Sequence, residues 1–109
     1  MPAVVSLAGD WDIFFREKLR ERLAFALTAE RCIVDFTGFH GGDATFINEL
    51  VYAAKVRAAR SLPTMVLVIP EDDRMLRRIL EVTKLLRVWP VFTSVEQALE
   101  AFPEHSVHE

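Results

Sequence analysis

The stretch that most constrains the fold is residues 64–69, Thr-Met-Val-Leu-Val-Ile, in which hydrophobic residues follow one another with no polar alternation. A strand with one face in water alternates apolar and polar residues, so this run predicts a central strand that is covered on both faces. Pro70 ends it, because proline lacks the amide hydrogen that continues a sheet. A similar run at 32–36, Cys-Ile-Val-Asp-Phe, predicts a second buried strand that ends at Thr37-Gly38.

Two long amphipathic helices are predicted around these strands. Over residues 13–27 the apolar positions recur at steps of three and four, and Asp12 is the predicted N-cap. Residues 45–60 show the same spacing, and Asp43 precedes them as an N-cap or first-turn acid. The apolar stripe of this second helix includes Phe46, which is therefore predicted to be a core residue. Four polar residues lie away from the stripe, namely Asn48, Glu49, Tyr52 and Lys55.

A third helix is predicted to begin with the acidic residues 71–73, at the positive end of its dipole, and to have Lys84 and Arg87 near its negative end. Three of its basic residues share a face at helical spacing, which are Arg74, Arg77 and Arg78. An acidic partner or a phosphate would suit such a face. Because acidic residues stand close by in the sequence, a solvated helix surface is the preferred interpretation.

The remaining elements are short. Residues 4–7 and 90–93 are predicted strands, and the first of them ends at the turn residues 8–10. Two adjacent glycines predict a loop at 39–43, and the sequence Ser-Val-Glu-Gln at 94–97 has the form of a capping box that opens a last helix. The alternation of strands and helices predicts an α/β domain, with a small mixed β-sheet of about four strands, about four helices and right-handed crossovers.

The size and charge of the chain narrow its class. The 109 residues suit one domain, predicted to span residues 1–102 and to be followed by a flexible tail at 103–109. A net charge of −3 disfavours binding to nucleic acid. Because the sequence shows neither a secretory signal nor an apolar run of the roughly 18 residues that cross a bilayer, we expect a cytoplasmic protein.

The sequence shows no motif that carries enzyme chemistry, neither a phosphate-binding glycine loop nor a nucleophile flanked by glycines. The chain is therefore predicted not to be an enzyme and to need no cofactor. The single cysteine, Cys32, is predicted to be a buried packing residue in a reducing compartment. The histidines His40, His105 and His108 lack the clustering of a zinc site, so no metal is expected.

The place where function is expected is the segment 39–43 together with the helix start at Thr45. A helix N-terminus has unpaired amides and a partial positive charge, so a hydroxyl there can accept a phosphoryl group whose charge the helix tolerates. The simpler interpretation, which the spacing alone favours, is that Thr45 only helps to cap the helix.

Four segments, at residues 9–12, 34–37, 80–85 and 91–99, resemble the STAS family of bacterial anti-anti-sigma factors. Residues 9–12, Gly-Asp-Trp-Asp, look like the Gly-Glu-Leu-Asp turn of that family, and residues 34–37 look like its Val-Asp-Leu-Ser strand. Residues 80–85 and 91–99 resemble its Leu-Glu-x-Thr-Gly-Leu and Phe-x-Ser-x-Glu-x-Ala-Leu signatures. The similarity spans nearly the whole chain, so it implies a STAS-like fold and a role in protein binding.

The resemblance also implies a regulated site before the second helix. In the family this loop reads Asp-Ser-Ser-Gly, and an anti-sigma factor that is also a kinase phosphorylates its first serine. The aligned residues here are Asp43, Ala44, Thr45 and Phe46, so alanine replaces the phosphoacceptor and phenylalanine replaces glycine. Lys84 also stands where the family has glycine, which predicts a different end to the third helix.

Three interpretations of the phosphorylation site stay open. Thr45 takes over as the acceptor, or the domain binds its partner constitutively, or the chain is a scaffold that never meets a kinase. The first hypothesis for function is therefore an anti-sigma factor antagonist that acts by partner switching in transcription regulation. The residues expected to contact an anti-sigma factor or ATPase-type kinase are Asp43, Ala44, Thr45, Asn48, Glu49 and Tyr52.

Two further hypotheses come from other classes of protein. A non-catalytic STAS subunit of a signalling scaffold or membrane transporter would be favoured by oligomerisation through exposed Trp11, Phe14 or Trp89. A small-ligand binder or enzyme would use Gly41-Gly42 to hold an anion at the start of the second helix, and it ranks last.

Overall fold

The computed structural model of the chain describes residues 3–11, 16–42 and 44–101. Strands and helices alternate along most of this length. The strands are β1 (Ala3–Ser6), β2 (Gly9–Trp11), β3 (Cys32–Asp35), β4 (Phe39–Gly42), β5 (Val66–Val68) and β6 (Val91–Phe92). The helices are α1 (Arg16–Thr28), α2 (Ala44–Ala59), α3 (Arg74–Val82) and α4 (Val95–Glu100), and a 3₁₀ helix covers Leu85–Arg87. The predicted α/β fold class is confirmed.

The described strands form two sheets. The main sheet has the order β1-β3-β5-β6, and each of its pairings is parallel, with Val34 beside both Val5 and Leu67. A mixed sheet was expected. Instead, the described strands of the main sheet all run in the same direction. The strands β2 and β4 pair in parallel as a separate two-stranded sheet.

The predictions of a turn at residues 8–10 and a loop at 39–43 are wrong where β2 and β4 form. The amide of Gly9 donates a hydrogen bond to the carbonyl of Gly38 over 3.0 Å, and the pairing contains an irregularity between Gly9 and Asp10. Gly41 has a φ of 135°, which most side chains disfavour. Because these strands are short and contain glycines, they carry no apolar alternation that would reveal them in the sequence.

The main sheet is covered on both faces, as the run at 64–69 predicts. Alternate residues of β3 enter different clusters, since Cys32 and Val34 belong to one core and Ile33 to the other. The larger core contains buried side chains from three helices, which are Leu19 and Leu23 of α1, Leu50 and Ala53 of α2, and Leu76 and Leu80 of α3. The smaller core joins Ile33, Val66 and Val68 to Ala98 of α4. The α4 helix therefore lies on the face opposite to the other three helices.

The boundaries of the two long helices agree closely with the sequence predictions. Helix α1 ends one residue beyond the predicted 13–27, and α2 covers Ala44–Ala59 where 45–60 was expected. The predicted N-caps Asp12 and Asp43 lie outside the described residues, as does the tail at 103–109. The strand predicted at 64–69 is shorter, although Met65 and Ile69 on either side of it are still buried; Thr64 is exposed.

Side-chain caps define the shorter helices. Helix α3 begins at Arg74, later than the acidic residues suggested, because Asp73 accepts a hydrogen bond from the amide of Leu76 over 3.1 Å. Ser94 caps α4 by accepting from the amide of Gln97 over 3.2 Å. The side chain of Gln97 accepts in return from Thr93, one residue before the position that the capping box predicts.

Arg57 is a buried residue that the sequence analysis did not single out. Its guanidinium donates to the carbonyl of Pro63, at 2.9 and 3.1 Å, and to the carbonyls of Ala29 and Glu30, at 2.5 and 3.0 Å. These carbonyls belong to the segments that follow α2 and α1. The five donors of arginine suit this arrangement, so one side chain joins the ends of the two helices.

Trp89 is buried, with 2% of its surface exposed, so the expectation that it is exposed and available for oligomerisation is wrong. It lies between the 3₁₀ helix and β6, and its side chain belongs to the larger core. The side chain of Trp11 and the whole of Phe14 lie outside what the structure describes.

Cys32 is fully buried, which confirms its predicted packing role. Burial raises the pKa of its thiol to about 11, and the nearby positive charge of Arg57 opposes this shift only partly. The folded protein therefore keeps Cys32 protonated at a pH where an unfolded chain would begin to lose that proton.

We predict that ionisation of Cys32 lowers stability at alkaline pH. Between pH 9 and 11 the unfolded state loses the thiol proton while the folded state keeps it, so the free energy of unfolding falls by about 2 to 3 kcal/mol in that window. Below pH 9 both states hold the proton and this contribution is constant.

The measurement is urea unfolding of the wild type and of Cys32→Ala at several pH values between 8 and 11. The variant shares every other titrating group, so the difference between the two proteins isolates Cys32. A difference that does not change with pH would contradict the account.

Lys84 follows α3 in a left-handed conformation, with a φ of 64°. Glycine adopts this conformation without a steric cost, whereas a side chain carries a penalty. The predicted different end to the third helix is therefore wrong in conformation, because Lys84 makes the turn that glycine usually makes at this place in a helix.

We predict that Lys84→Gly stabilises the domain by roughly 1 kcal/mol, because it removes the strain of a β-carbon in the left-handed region. Thermal unfolding of the two proteins measures the effect. Lys84→Ala is the matched control, since it removes the charge but keeps the β-carbon and should leave stability nearly unchanged. Equal stabilisation by both variants would show that charge, not conformation, is responsible.

Candidate functional site

The start of α2 is held in place by three aromatic rings. Phe36 follows β3, Phe39 opens β4, and Phe46 lies in the first turn of α2. The ring centroids are 5.2 Å apart for Phe36 and Phe39, 5.1 Å for Phe39 and Phe46, and 6.5 Å for Phe36 and Phe46. The two pairs that include Phe36 meet edge to face, a favoured geometry for aromatic side chains.

Phe46 is 1% exposed, which confirms that this residue belongs to the core stripe of the helix. Its neighbours in sequence, Ala44 and Thr45, are therefore the first two residues of a helix whose position is fixed from within. The side chains of Ala44 and Thr45 and the whole of Asp43 lie outside the described parts of the structure. Their proposed contacts with a partner stay predictions.

The outer face of α2 presents polar and aromatic side chains to solvent. Asn48 and Tyr52 are both exposed and stand four residues apart, so they are neighbours on the helix surface. Tyr52 is large and keeps 55% of its surface accessible. A half-exposed tyrosine combines apolar area with a hydroxyl group, and such residues are enriched in protein interfaces.

Glu49 does not lie on this exposed face, which corrects the sequence prediction. It is only 4% exposed, because α1 packs against it. Its carboxylate accepts a hydrogen bond from Nε of Arg20 over 2.8 Å, and Nε of Arg16 lies 3.5 Å from its other oxygen. Two effects of Glu49 raise the pKa of Arg20. The hydrogen bond is the larger effect, and the negative charge of the carboxylate adds to it. Glu49 thus joins α2 to α1, a contact that helix periodicity alone does not reveal.

A groove of about 340 Å³ lies between the two helices beside this ion pair. Its walls combine apolar side chains with the charged pair and Tyr52, and the lining residues are Arg20, Leu23, Leu27, Glu49, Tyr52 and Ala53. The groove is open to solvent, so its shape suits a side chain from a partner protein. The structure therefore brings Glu49 and Tyr52 together around one groove, with Asn48 on the adjoining surface.

The region around His40 and β4 was considered as an alternative site. His40 is exposed on β4, and a smaller cavity of about 190 Å³ lies between this strand and α3. Within the part of the chain that the structure describes, no three His, Cys, Asp or Glu side chains are grouped closely enough to hold a metal ion. No helix in residues 3–11, 16–42 and 44–101 combines the length and the apolar character needed to cross a membrane.

Comparison with known proteins identifies the fold. No protein-family model matches the sequence, and no curated protein matches it either. A candidate anti-sigma factor antagonist from Thermotoga maritima superposes with a TM-score of 0.70 at 15% identity, over 90% of this chain and 86% of that one. A sulfate transporter family protein from Wolinella succinogenes gives 0.70 at 16% identity, over 92% and 83% of the two chains.

The Bacillus anti-sigma factor antagonist SpoIIAA is similar in both of its forms. The phosphorylated form has a TM-score of 0.69 at 15% identity, over 94% of this chain and 91% of that chain. The unphosphorylated form has 0.65 at 17% identity, over 92% and 87%. The chain therefore has the fold of the anti-sigma factor antagonists, the STAS fold, as the sequence resemblance implied.

We predict that Phe46→Ala lowers the free energy of unfolding by about 3 to 5 kcal/mol, because it leaves a cavity beside the rings of Phe36 and Phe39. Urea unfolding measures the loss, and hydrogen exchange should become faster in the first turn of α2. Tyr52→Ala on the same helix is the control, since its exposed ring should change stability by less than about 0.5 kcal/mol. Similar losses from both variants would contradict the assignment of Phe46 as the anchor.

Proposed function

We propose that this chain is a non-catalytic protein-interaction module of the anti-sigma factor antagonist type, which acts in the cytoplasm by binding an anti-sigma factor. The observation that carries the proposal is the exposed face of α2 and its groove, on a fold shared with SpoIIAA. In this proposal the partner contacts residues from the start and outer face of α2, which are Asp43, Ala44, Thr45, Asn48 and Tyr52.

Tyr52 is proposed as the main anchor of this interface. Its exposed ring borders the groove, so a partner that covers it removes a large apolar surface from water. Glu49 is buried below this surface. Its contacts with Arg20 and Arg16 fix the relative positions of the two helices that border the groove. Asn48 supplies a neutral hydrogen-bonding group on the same surface.

Thr45 is the proposed phosphoacceptor. Ala44 has no hydroxyl, whereas Thr45 lies in the first turn of a helix of 16 residues, where free amides and the helix dipole favour a phosphate. One of the similar structures is described as the phosphorylated form of SpoIIAA. We propose that a kinase partner adds the phosphate to Thr45 and that the added charge weakens binding of the same partner.

A second candidate function is a STAS subunit of a membrane transporter complex or signalling scaffold. The similarity to the sulfate transporter family protein from Wolinella succinogenes favours it. The same α2 face would then contact a permanent protein partner, and Thr45 would stay unmodified. The two candidates therefore differ in the identity of the partner and in the state of one residue.

The experiment is affinity purification of the tagged chain from its own organism, followed by mass spectrometry of the partners and of Thr45. We expect an ATPase-type anti-sigma kinase to co-purify and a fraction of Thr45 to carry phosphate. A transporter component together with unmodified Thr45 would replace the antagonist proposal with the subunit proposal.

We predict that Tyr52→Ala weakens partner binding by about tenfold or more and leaves thermal stability unchanged. Val88→Ala is the matched control, because Val88 has a similar exposure of 53% and lies outside α2. Titration of the recovered partner by calorimetry measures both variants. Equal affinities for the wild type and Tyr52→Ala would exclude the α2 face as the interface.

A further inference from the structure

The outer surface of α3 carries an apolar stripe that nothing in the described structure covers. Met75 is 72% exposed and Val82 is 70% exposed, and with Ile79 they follow the spacing of one helix face. These side chains line a broad, shallow groove of about 580 Å³ together with Arg74 and Arg78. The face belongs to a different helix from the proposed α2 interface.

The arginines beside this stripe are available for a partner. Arg77, the third arginine of the helix, donates to the carbonyl of Ile69 over 2.9 Å and so serves the fold. Arg74 and Arg78 are exposed and form no ion pair with any described acidic residue. Asp73 caps the helix with its carboxylate. An apolar group flanked by negative charges would therefore complement this groove.

Helix α4 presents a surface with this complementary chemistry. Glu96 and Glu100 are both exposed and stand four residues apart, the same spacing as Arg74 and Arg78. Leu99, which is 39% exposed, stands three residues after Glu96 and is therefore its neighbour on the surface of α4. Neither glutamate forms an ion pair with any residue that the structure describes.

We propose that α4 of a second copy of this chain docks on the α3 face, with Leu99 in the groove and Glu96 and Glu100 beside Arg74 and Arg78. The charges are opposite and their spacings match, so the contact selects one register. Because α3 and α4 pack on opposite faces of the sheet, the contact joins two different surfaces. Such a contact is heterologous, so its repetition builds a head-to-tail assembly.

The interface is small and rich in exposed charge, so the assembly is expected to be weak, concentration-dependent and sensitive to salt. This inference is independent of the proposed anti-sigma function, because it uses neither the face of α2 nor Thr45.

The test uses the purified full chain and two charge-reversal variants. Arg74→Glu/Arg78→Glu makes both surfaces acidic, and Glu96→Arg/Glu100→Arg makes both surfaces basic. Sedimentation velocity at increasing concentration and low ionic strength should show association of the wild type. For each variant alone the association constant should fall by about tenfold or more.

The decisive experiment mixes the two variants in equal amounts, because each variant then offers a surface that is complementary to the other variant. Association should return to near the wild-type level and should weaken as salt is added. Circular dichroism and thermal unfolding check that both variants are folded. A monomeric wild type at millimolar concentration, or a mixture that stays monomeric, would overturn the proposal. Binding of a monomeric wild type to phosphatidylglycerol vesicles, with no binding of the folded Arg74→Glu/Arg78→Glu variant, would instead assign the α3 face to an anionic membrane.

Discussion

The burial of the β3 and β5 strands on both faces is the constraint on which the rest of the structure depends. Two parallel strands with apolar side chains on each side need cover from two layers of helices. Three helices cover one face of the sheet, and α4 covers part of the other face. The chain therefore passes from one face of the sheet to the other between α3 and α4. Cys32 and Ile33, adjacent in sequence, show this division directly, since they enter different cores.

The candidate site depends on how α2 is fixed to this core. Phe46 anchors its first turn through the other two rings, Glu49 joins its middle to α1, and Arg57 joins its end to the segments beyond both helices. The three residues lie on the inner side of the helix and hold it at three levels. The opposite side of the helix carries Asn48 and Tyr52. Both side chains are exposed, so they can contact another molecule.

The sequence predicted the elements whose patterns are strong. An unbroken apolar run specifies a buried strand and an amphipathic repeat specifies a helix, so β3, β5 and the helices were found near their true positions. The β2 and β4 strands were missed because glycine-rich segments have no side-chain pattern to indicate pairing. The sheet was predicted to be mixed and is parallel throughout its described strands, since local patterns do not fix strand direction.

The burial of individual polar residues was harder to predict than the fold. Helix periodicity placed Glu49 outside the apolar stripe, yet arginines from α1 complete its environment, and the hydrogen bond with Arg20 joins residues 29 positions apart. Trp89 was expected at the surface for a similar reason, because its cover comes from distant parts of the chain. Phe46 was predicted correctly, since its place on the stripe and its size both indicate the core.

The central claim is that the outer face of α2 binds a protein partner. The most direct measurement is hydrogen exchange, followed by mass spectrometry, of the chain alone and in complex with the partner that co-purifies with it. The account predicts slower exchange in peptides that cover α2, with peptides from β1 and α4 unchanged. Protection confined to peptides outside α2, with α2 exchanging at the same rate in both states, would contradict it.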